Sequence, residues 1–213
     1  MTRMERFAPL TGIVAIVLFV AEAIVSGDTP NVDDPAQEIV AYWSHNAGTQ
    51  EIAASLFGLA AVAIVWFGAS IRAALRQAAG GADRLGSLAH AGTGLIAVGL
   101  SIYASFGLAA AHSAGDVPAS TTQTFNVLSR DDMFVLLAVG AALLLLSTAL
   151  AVLRHGGLPR WIGWVSLVLG VVALVALVLG PAVSGVGFVA FLALVLWIPA
   201  VGILIYKGQS SAA

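Results

Sequence analysis

Long apolar runs, separated by short polar stretches, dominate this chain of 213 residues. A helix needs about 20 mostly apolar residues to cross the hydrocarbon core of a bilayer. Six runs are long enough, at about 7–24, 50–72, 85–111, 133–153, 161–179 and 186–206. The pattern predicts an all-α polytopic membrane protein, a single transmembrane domain whose six helices form three hairpins.

The first apolar run allows a second interpretation. Arg3 and Arg6 precede it and small residues flank Glu22 near its end, as in a cleavable secretion signal. Cleavage would leave five spans and move the new N-terminus to the outside. The run is long for the apolar region of a signal, so we favour a retained span.

Two of the polar connections have helical patterns of their own. Asp34 suits the N-cap of a helix and Pro35 its first position, and Ser120 opens a second capping pattern. We expect two short amphipathic helices on the outer surface, each preceding an inward-going span. They would serve as interfacial anchors, with Tyr42 and Trp43 at headgroup level, or as lids over a site. We favour anchors, because interfacial aromatic residues are common.

The distribution of positive charge predicts the orientation of the chain. Cytoplasmic loops retain Lys and Arg, and eight of the nine such residues fall on one side of the predicted spans. With both termini in the cytoplasm, only Arg130 lies outside. The inner residues are Arg3, Arg6, Arg72, Arg76, Arg84, Arg154, Arg160 and Lys207.

Composition narrows the classes of partner and chemistry. Only 9% of the residues are charged and 60% are hydrophobic, so lipid must be the solvent for most of the surface. Net charge is −2 with no basic run, which argues against nucleic acid as a partner. The absence of cysteine excludes disulfides, thiol catalysis and cysteine-ligated metals. Membrane lipids are the expected partners.

Small residues recur at helical spacing on two predicted spans. Such residues let helices approach closely where lipid provides no hydrophobic driving force. The resulting contact could lie within the chain, in a homo-oligomer or with another membrane protein, and all three alternatives stay open. The residues are Ala97, Ser101, Ser105 and Ala109 on the third span, and Gly163, Ser166 and Gly170 on the fifth.

Glu22 is the sharpest candidate for a functional residue. It lies inside the first predicted span, where an ionisable side chain costs free energy and often marks function. The alternative is a carboxylate that reaches water at the interface. Other polar residues would join it at the outer mouth of the bundle, as a binding site or as a solvated acidic rim. They are Glu51, His112, Arg130, Asp131 and Asp132. We further expect Arg130 to neutralise Glu22 or a neighbouring acid.

His90 is a second intramembrane polar candidate, about one turn inside the cytoplasmic end of the third span. It could act as a ligand or proton relay, but a histidine satisfied by a neighbouring helix is the more common case. His90 and His112 are too far apart on one helix to share a metal. No dinucleotide, phosphate-loop or nucleophile-elbow motif is present, so we expect neither a metal nor a cofactor.

Helix ends and interfacial aromatic residues form three distinctive stretches. They are APLTG at 8–12, DTP at 28–30 with EIVAYW at 38–43, and LPRWIGW at 158–164. These stretches resemble a family of multi-span membrane proteins common in actinobacteria. The resemblance implies a bacterial plasma membrane and supports the topology. It implies no activity and transfers no functional residue.

The leading functional interpretation is a non-enzymatic integral membrane protein, an accessory or binding component for lipid, a ligand or another subunit. A small-solute or proton-coupled transporter that uses Glu22 and the outer acidic mouth is the alternative. The weakest hypothesis is an intramembrane enzyme that pairs His90 or His112 with a carboxylate.

Overall fold

The computed structural model describes residues 6–82, 84–129, 133–179 and 184–211. Every secondary-structure element in those ranges is helical, a 3-10 turn at Ala8–Leu10 followed by eight α-helices. In chain order they are α1 (Thr11–Ser26), α2 (Ala36–His45), α3 (Ala47–Ala78), α4 (Arg84–Ser113), α5 (Ala119–Leu128), α6 (Met133–His155), α7 (Arg160–Leu179) and α8 (Ser184–Ser211). The predicted all-α fold is confirmed.

Six helices are long and apolar enough to cross a membrane: α1 with its preceding turn, α3, α4, α6, α7 and α8. The six-span prediction is therefore confirmed. The spans differ in length: α1 with its preceding turn contains 19 residues and α7 contains 20, whereas α3 contains 32 and α4 contains 30. At about 1.5 Å per residue, α3 and α4 are each about 45 Å long or more, well beyond the roughly 30 Å of a hydrocarbon core. Both long helices therefore extend beyond the hydrocarbon core.

The two ends of the bundle differ. At the capped end, defined by α2 and α5, helices α1, α4 and α7 finish and α3, α6 and α8 begin. At the opposite, open end the rings of Phe7 and Tyr206 stack with centroids 5.8 Å apart, so the two chain ends lie together. The described cations gather at the open end, on the first and last turns of the spans and in the segments beside them. They are Arg6, Arg72, Arg76, Arg84, Arg154, Arg160 and Lys207.

Helices α2 and α5 pack on each other and on α4 at the capped end. Ile39 and Trp43 of α2 are buried, and the Trp43 Nε1 donates to Asn126 Oδ1 of α5 over 3.1 Å. The Asn126 side-chain amide donates in turn to the Pro30 carbonyl over 3.4 Å. The two predicted short helices are confirmed. The anchoring role expected for Trp43 is wrong, because its indole is buried in the contact between two protein helices and does not face lipid headgroups.

Both short helices begin without the capping side chains that the sequence indicated. Pro35 occupies the N-cap of α2, and Pro118 occupies the N-cap of α5. The Asp34 carboxylate instead accepts the backbone N–H of Asn31 over 2.7 Å. The capping roles predicted for Asp34 and Ser120 are therefore wrong. The carbonyl groups of Pro35 and Pro118 accept the first hydrogen bonds of the two helices. Because the proline ring fixes φ, each helix begins directly after a residue of restricted conformation.

The six spans form a ring in chain order, α1, α3, α4, α6, α7 and α8, with α8 packed back against α1. Glycines bring the backbones of α4 and α6 together. A Cβ added to Gly92 would lie 2.5 Å from the Leu144 amide nitrogen and 2.6 Å from the Gly140 carbonyl oxygen. On α7, Gly163 and Gly170 make room for the Leu153 and Leu146 side chains of α6, so the small-residue contact predicted for the fifth span lies within the chain.

The structure divides the small-residue stripe predicted on the third span: Ala97 is buried in the bundle, whereas the two serines face outward. Ser101 and Ser105 of α4 are exposed, and each hydroxyl donates to a carbonyl one turn earlier on its own helix. The contact with α6 uses Gly92 and Gly99 instead. Contacts within the chain are thus excluded as the role of these two serines. Their face is the surface that the bundle presents to its surroundings.

Helix α8 closes the ring and is continuous through Pro199. Trp197 is buried, and its Nε1 donates to the Ser166 hydroxyl of α7 over 2.9 Å. Near the open end, Gly202 allows close approach to the chain before α1, because a Cβ there would lie 2.5 Å from the Pro9 carbonyl oxygen. These contacts attach the open-end half of α8 to α7 and α1.

Candidate functional site

Glu22 lies one turn from the end of α1, and its side chain is only 4% exposed. Among the described residues, its hydrogen-bond partner is Ser26, whose hydroxyl donates to Oε1 over 2.7 Å. Serine one turn later on a helix is well placed for this bond, because side chains tilt toward the helix N-terminus. A carboxyl group inside a candidate membrane span is thus enclosed by protein and does not reach open water.

Two further side chains extend the polar surroundings of Glu22 toward the capped end. The Gln50 Nε2 donates to the Tyr42 hydroxyl over 2.8 Å, and that hydroxyl donates to the Ser26 carbonyl over 2.9 Å. The Ser26 Oγ also lies 3.5 Å from Gln50 Oε1, but its single proton serves the shorter bond to Glu22. We call Glu22, Ser26, Tyr42 and Gln50 the Glu22 cluster. It joins α1, α2 and α3.

The other predicted members of the outer mouth are divided by the structure. Glu51 and His112 do meet, with His112 Nε2 2.8 Å from Glu51 Oε1, and they link the capped ends of α3 and α4. Both side chains are 57% exposed, so water screens this pair. Glu51 has no hydrogen bond to Glu22; its neighbour Gln50 joins that cluster instead.

The three remaining residues of the predicted mouth are Arg130, Asp131 and Asp132. They lie outside the described residues, and so does the predicted pairing of Arg130 with Glu22. Within the described ranges, no three histidine, aspartate or glutamate side chains converge as metal ligands would. The exposed Glu51–His112 pair supplies two groups at most, and the Glu22 cluster supplies one carboxyl group.

His90 faces α3 where Gly68 makes room for it. A Cβ on Gly68 would lie 2.8 Å from His90 Nδ1, which is buried and has no hydrogen-bond partner among the described atoms. The neighbouring Thr93 hydroxyl donates to the His90 backbone carbonyl over 2.7 Å and leaves the ring untouched. The Nδ1 atom of His90 therefore lacks the hydrogen bond from a neighbouring helix that we expected as the more common case.

The ring of spans surrounds a partly open cavity of about 330 Å³ that sequence reasoning missed. Among the described residues, all of those that line it are apolar, and every one of the six spans contributes. One lining residue from each span is Phe19, Ala60, Leu100, Ala138, Ala173 and Phe191. Alanines on the inward faces of α3, α6, α7 and α8 are the local cause. Their small side chains do not fill the centre of a ring of six helices.

An aromatic layer lies at the edge of the cavity nearest the Glu22 cluster. The Phe19 ring is 5.7 Å from that of Phe57 and 5.4 Å from that of Phe191, centroid to centroid. Phe57 continues the layer to Tyr103 of α4 at 4.9 Å. Because Phe19 and Glu22 are three residues apart on one face of α1, the apolar space and the polar cluster are adjacent.

The chemistry of the cavity favours an apolar occupant. Water in a protein needs two to four polar partners, and the described lining offers none. An empty cavity of this size would cost the dispersion contacts of its whole lining. An apolar cavity of about 150 Å³ is already large enough to bind benzene. The volume here is typical of a small-molecule site, at the lower end of the usual range.

Comparisons of this chain with protein families, with curated proteins and with solved structures find no match. The resemblance to actinobacterial membrane proteins therefore gains no support from them and stays a prediction. The cavity and the Glu22 cluster are the features of the described structure that bear on function.

Proposed function

We propose that this protein is a non-enzymatic binding component of the bacterial plasma membrane that holds an apolar molecule, such as one lipid chain, at its centre. The observation that carries the proposal is the cavity of about 330 Å³, lined by apolar side chains from all six spans. A hydrocarbon chain would restore the dispersion contacts that the alanine-rich lining lacks. It would also replace water, which has no partners there.

The proposed orientation has both termini in the cytoplasm. The gathering of described cations at the open end supports it, because Lys and Arg are retained on the cytoplasmic side. The capped end, with α2 and α5, would then face outward. Attachment of a membrane-impermeant amine reagent to Lys207 in intact cells would contradict this orientation.

The experiment that tests binding fills the cavity from within. Ala138→Phe and Ala176→Phe place a ring at lining positions on α6 and α7, both of them half-buried. We expect purified wild-type protein to retain about one apolar molecule per chain, as a small-molecule site of this volume would. Mass spectrometry of solvent extracts and of the intact complex should show that each variant loses most of that material.

Ala69→Phe is the matched control, because Ala69 is exposed on the outer face of α3 and is not part of the cavity lining. It adds the same ring and should leave the retained molecule unchanged. Equal retention by all three variants would rule out the cavity as the binding site. Two independent cavity-filling variants are used so that the experiment remains informative if one of them fails to fold.

A proton-coupled carrier is the second candidate, favoured by the burial of Glu22 inside a span. It would need Glu22 to exchange protons with both sides of the membrane. Dye-reported proton uptake into vesicles, compared for wild type and Glu22→Gln, separates the two functions. A binding component shows no uptake that depends on Glu22.

A further inference from the structure

The Glu22 cluster lies next to the cavity along α1. Phe19 lines the cavity, and Glu22 follows it by three residues on the same face, about 4.5 Å further along the axis. Glu22 is therefore about one turn beyond the cavity on its capped-end side, where Ser26 holds its carboxyl group.

Glu22 also has unused capacity to accept hydrogen bonds. An ionised carboxylate offers about four lone-pair sites, and Ser26 is its hydrogen-bond partner among the described residues. A carboxyl group that is 4% exposed gains most from a partner that donates a hydrogen bond or carries positive charge. The Gln50 amide and the Tyr42 hydroxyl add neutral polar groups on the capped-end side of the cluster.

From this adjacency we infer that the ligand is an amphiphile whose head donates a hydrogen bond, a hydroxyl or an ammonium group, to Glu22. Its hydrocarbon chain passes Phe19 and occupies the cavity. This inference rests on the proposed binding function and adds the chemistry of the head. Amphiphiles with an ionised acidic head are disfavoured, because a second negative charge beside the Glu22 carboxyl group costs free energy in a site with little water.

Four probes with the same chain length and different heads test the inference: dodecane, dodecanol, dodecylamine and dodecanoic acid. Each competes, at a known mole fraction in the micelle, with a diazirine-tagged alkane that labels the cavity peptides of the full-length protein. We expect dodecanol and dodecylamine to displace the label at about tenfold lower mole fraction than dodecane, the range of a hydrogen bond to a charged group. Dodecanoic acid should do no better than dodecane.

Substitutions at Glu22 test whether this residue causes the preference for dodecanol and dodecylamine over dodecane. They also separate the contribution of hydrogen bonding from that of charge. Glu22→Leu should remove the preference for both heads and leave dodecane binding intact. Glu22→Gln keeps a carbonyl acceptor and should retain part of the preference for dodecanol, while that for dodecylamine falls at least tenfold. Glu51→Gln changes an exposed carboxylate on α3 and should alter neither.

The outcomes distinguish this inference from the proposed function. If dodecane does not displace the label from cavity peptides, the proposed function fails and the head chemistry fails with it. If all four probes compete equally, or dodecanoic acid competes best, the cavity binds apolar chains but the role of Glu22 is refuted. A preference that survives in both Glu22 variants would refute it as well.

Discussion

Two neighbouring residues on α6, Gly140 and Ala141, have opposite effects on the packing of this bundle. Gly140 faces α4, where a Cβ would lie 2.8 Å from the Gly92 carbonyl oxygen, so the two backbones touch. Ala141 is turned by about 100° and lines the central cavity. A small residue therefore closes a helix contact where a neighbouring helix stands opposite. Where a small residue faces the middle of the ring, it leaves space.

The closed contact is where a single methyl group should do the most damage. In Gly92→Ala the new Cβ meets the Leu144 amide nitrogen at 2.5 Å, and backbone cannot move aside as a flexible side chain can. We expect a loss of about 3 kcal/mol in the free energy of unfolding. Thermal unfolding of the protein in detergent micelles measures it.

Gly94→Ala, two residues along α4, is the control for this prediction. A Cβ at Gly94 meets no atom within 4 Å, and alanine favours helix over glycine by up to about 1 kcal/mol. Its unfolding midpoint should match or slightly exceed that of wild type. Equal midpoints for the two alanine variants would show that α4 and α6 are not in backbone contact.

At the open-end side of the cavity, Ser166→Ala should have an intermediate effect. The substitution leaves the buried Trp197 Nε1 without its acceptor. Hydrogen bonds between membrane helices contribute only modestly to the free energy of unfolding, so we expect that free energy to fall by about 1 kcal/mol. The Trp197 emission band is expected to shift as its indole loses the bond.

Ser105→Ala is the control for Ser166→Ala, because it removes the hydroxyl of a serine that faces the surface of the bundle. Its hydroxyl bonds only to the Ser101 carbonyl on the same helix, and the side chain is exposed. A change within about 0.5 kcal/mol is expected. If this variant lost as much stability as Ser166→Ala, the bond to Trp197 would not be what holds α8 against α7.

The smallest effect is expected at the capped end, where Glu51 and His112 pair in water. Exposed ion pairs contribute about 0–1 kcal/mol and are screened by salt. Glu51→Gln and His112→Gln should each shift the unfolding midpoint slightly, and the shift should disappear in high salt. A large shift that persists in salt would place this pair among the structural contacts of the bundle.

The spans were predictable because hydropathy depends on residues close in sequence. All six apolar runs reappear as helices, since a bilayer imposes length and composition on each one separately. The cavity was not predictable, because it depends on the rotation and depth of six helices relative to one another. No periodicity along α6 reveals that Gly140 meets a partner while Ala141 meets none.

The candidate site was predictable in part for a similar reason. Glu22 is conspicuous as a carboxylate inside an apolar run, and the structure does bury it. Glu51 was predicted to join Glu22 because the two residues lie at a similar depth in their spans. Adjacent residues on a helix, however, point about 100° apart. Gln50 therefore faces the Glu22 cluster, whereas Glu51 faces water. Nothing in the sequence around Gln50 indicated that this neutral residue, and not Glu51, would contact Glu22.

The unequal lengths of the spans imply that this bundle responds to bilayer thickness. α1 with its preceding turn and α7, of 19 and 20 residues, match a hydrocarbon core of about 30 Å, whereas α3 and α4 exceed it. In a thicker membrane these two shortest spans would be the first to meet hydrophobic mismatch, which they would relieve by tilting less or by sliding along their neighbours. Both helices line the cavity, so a change in their tilt would change its volume.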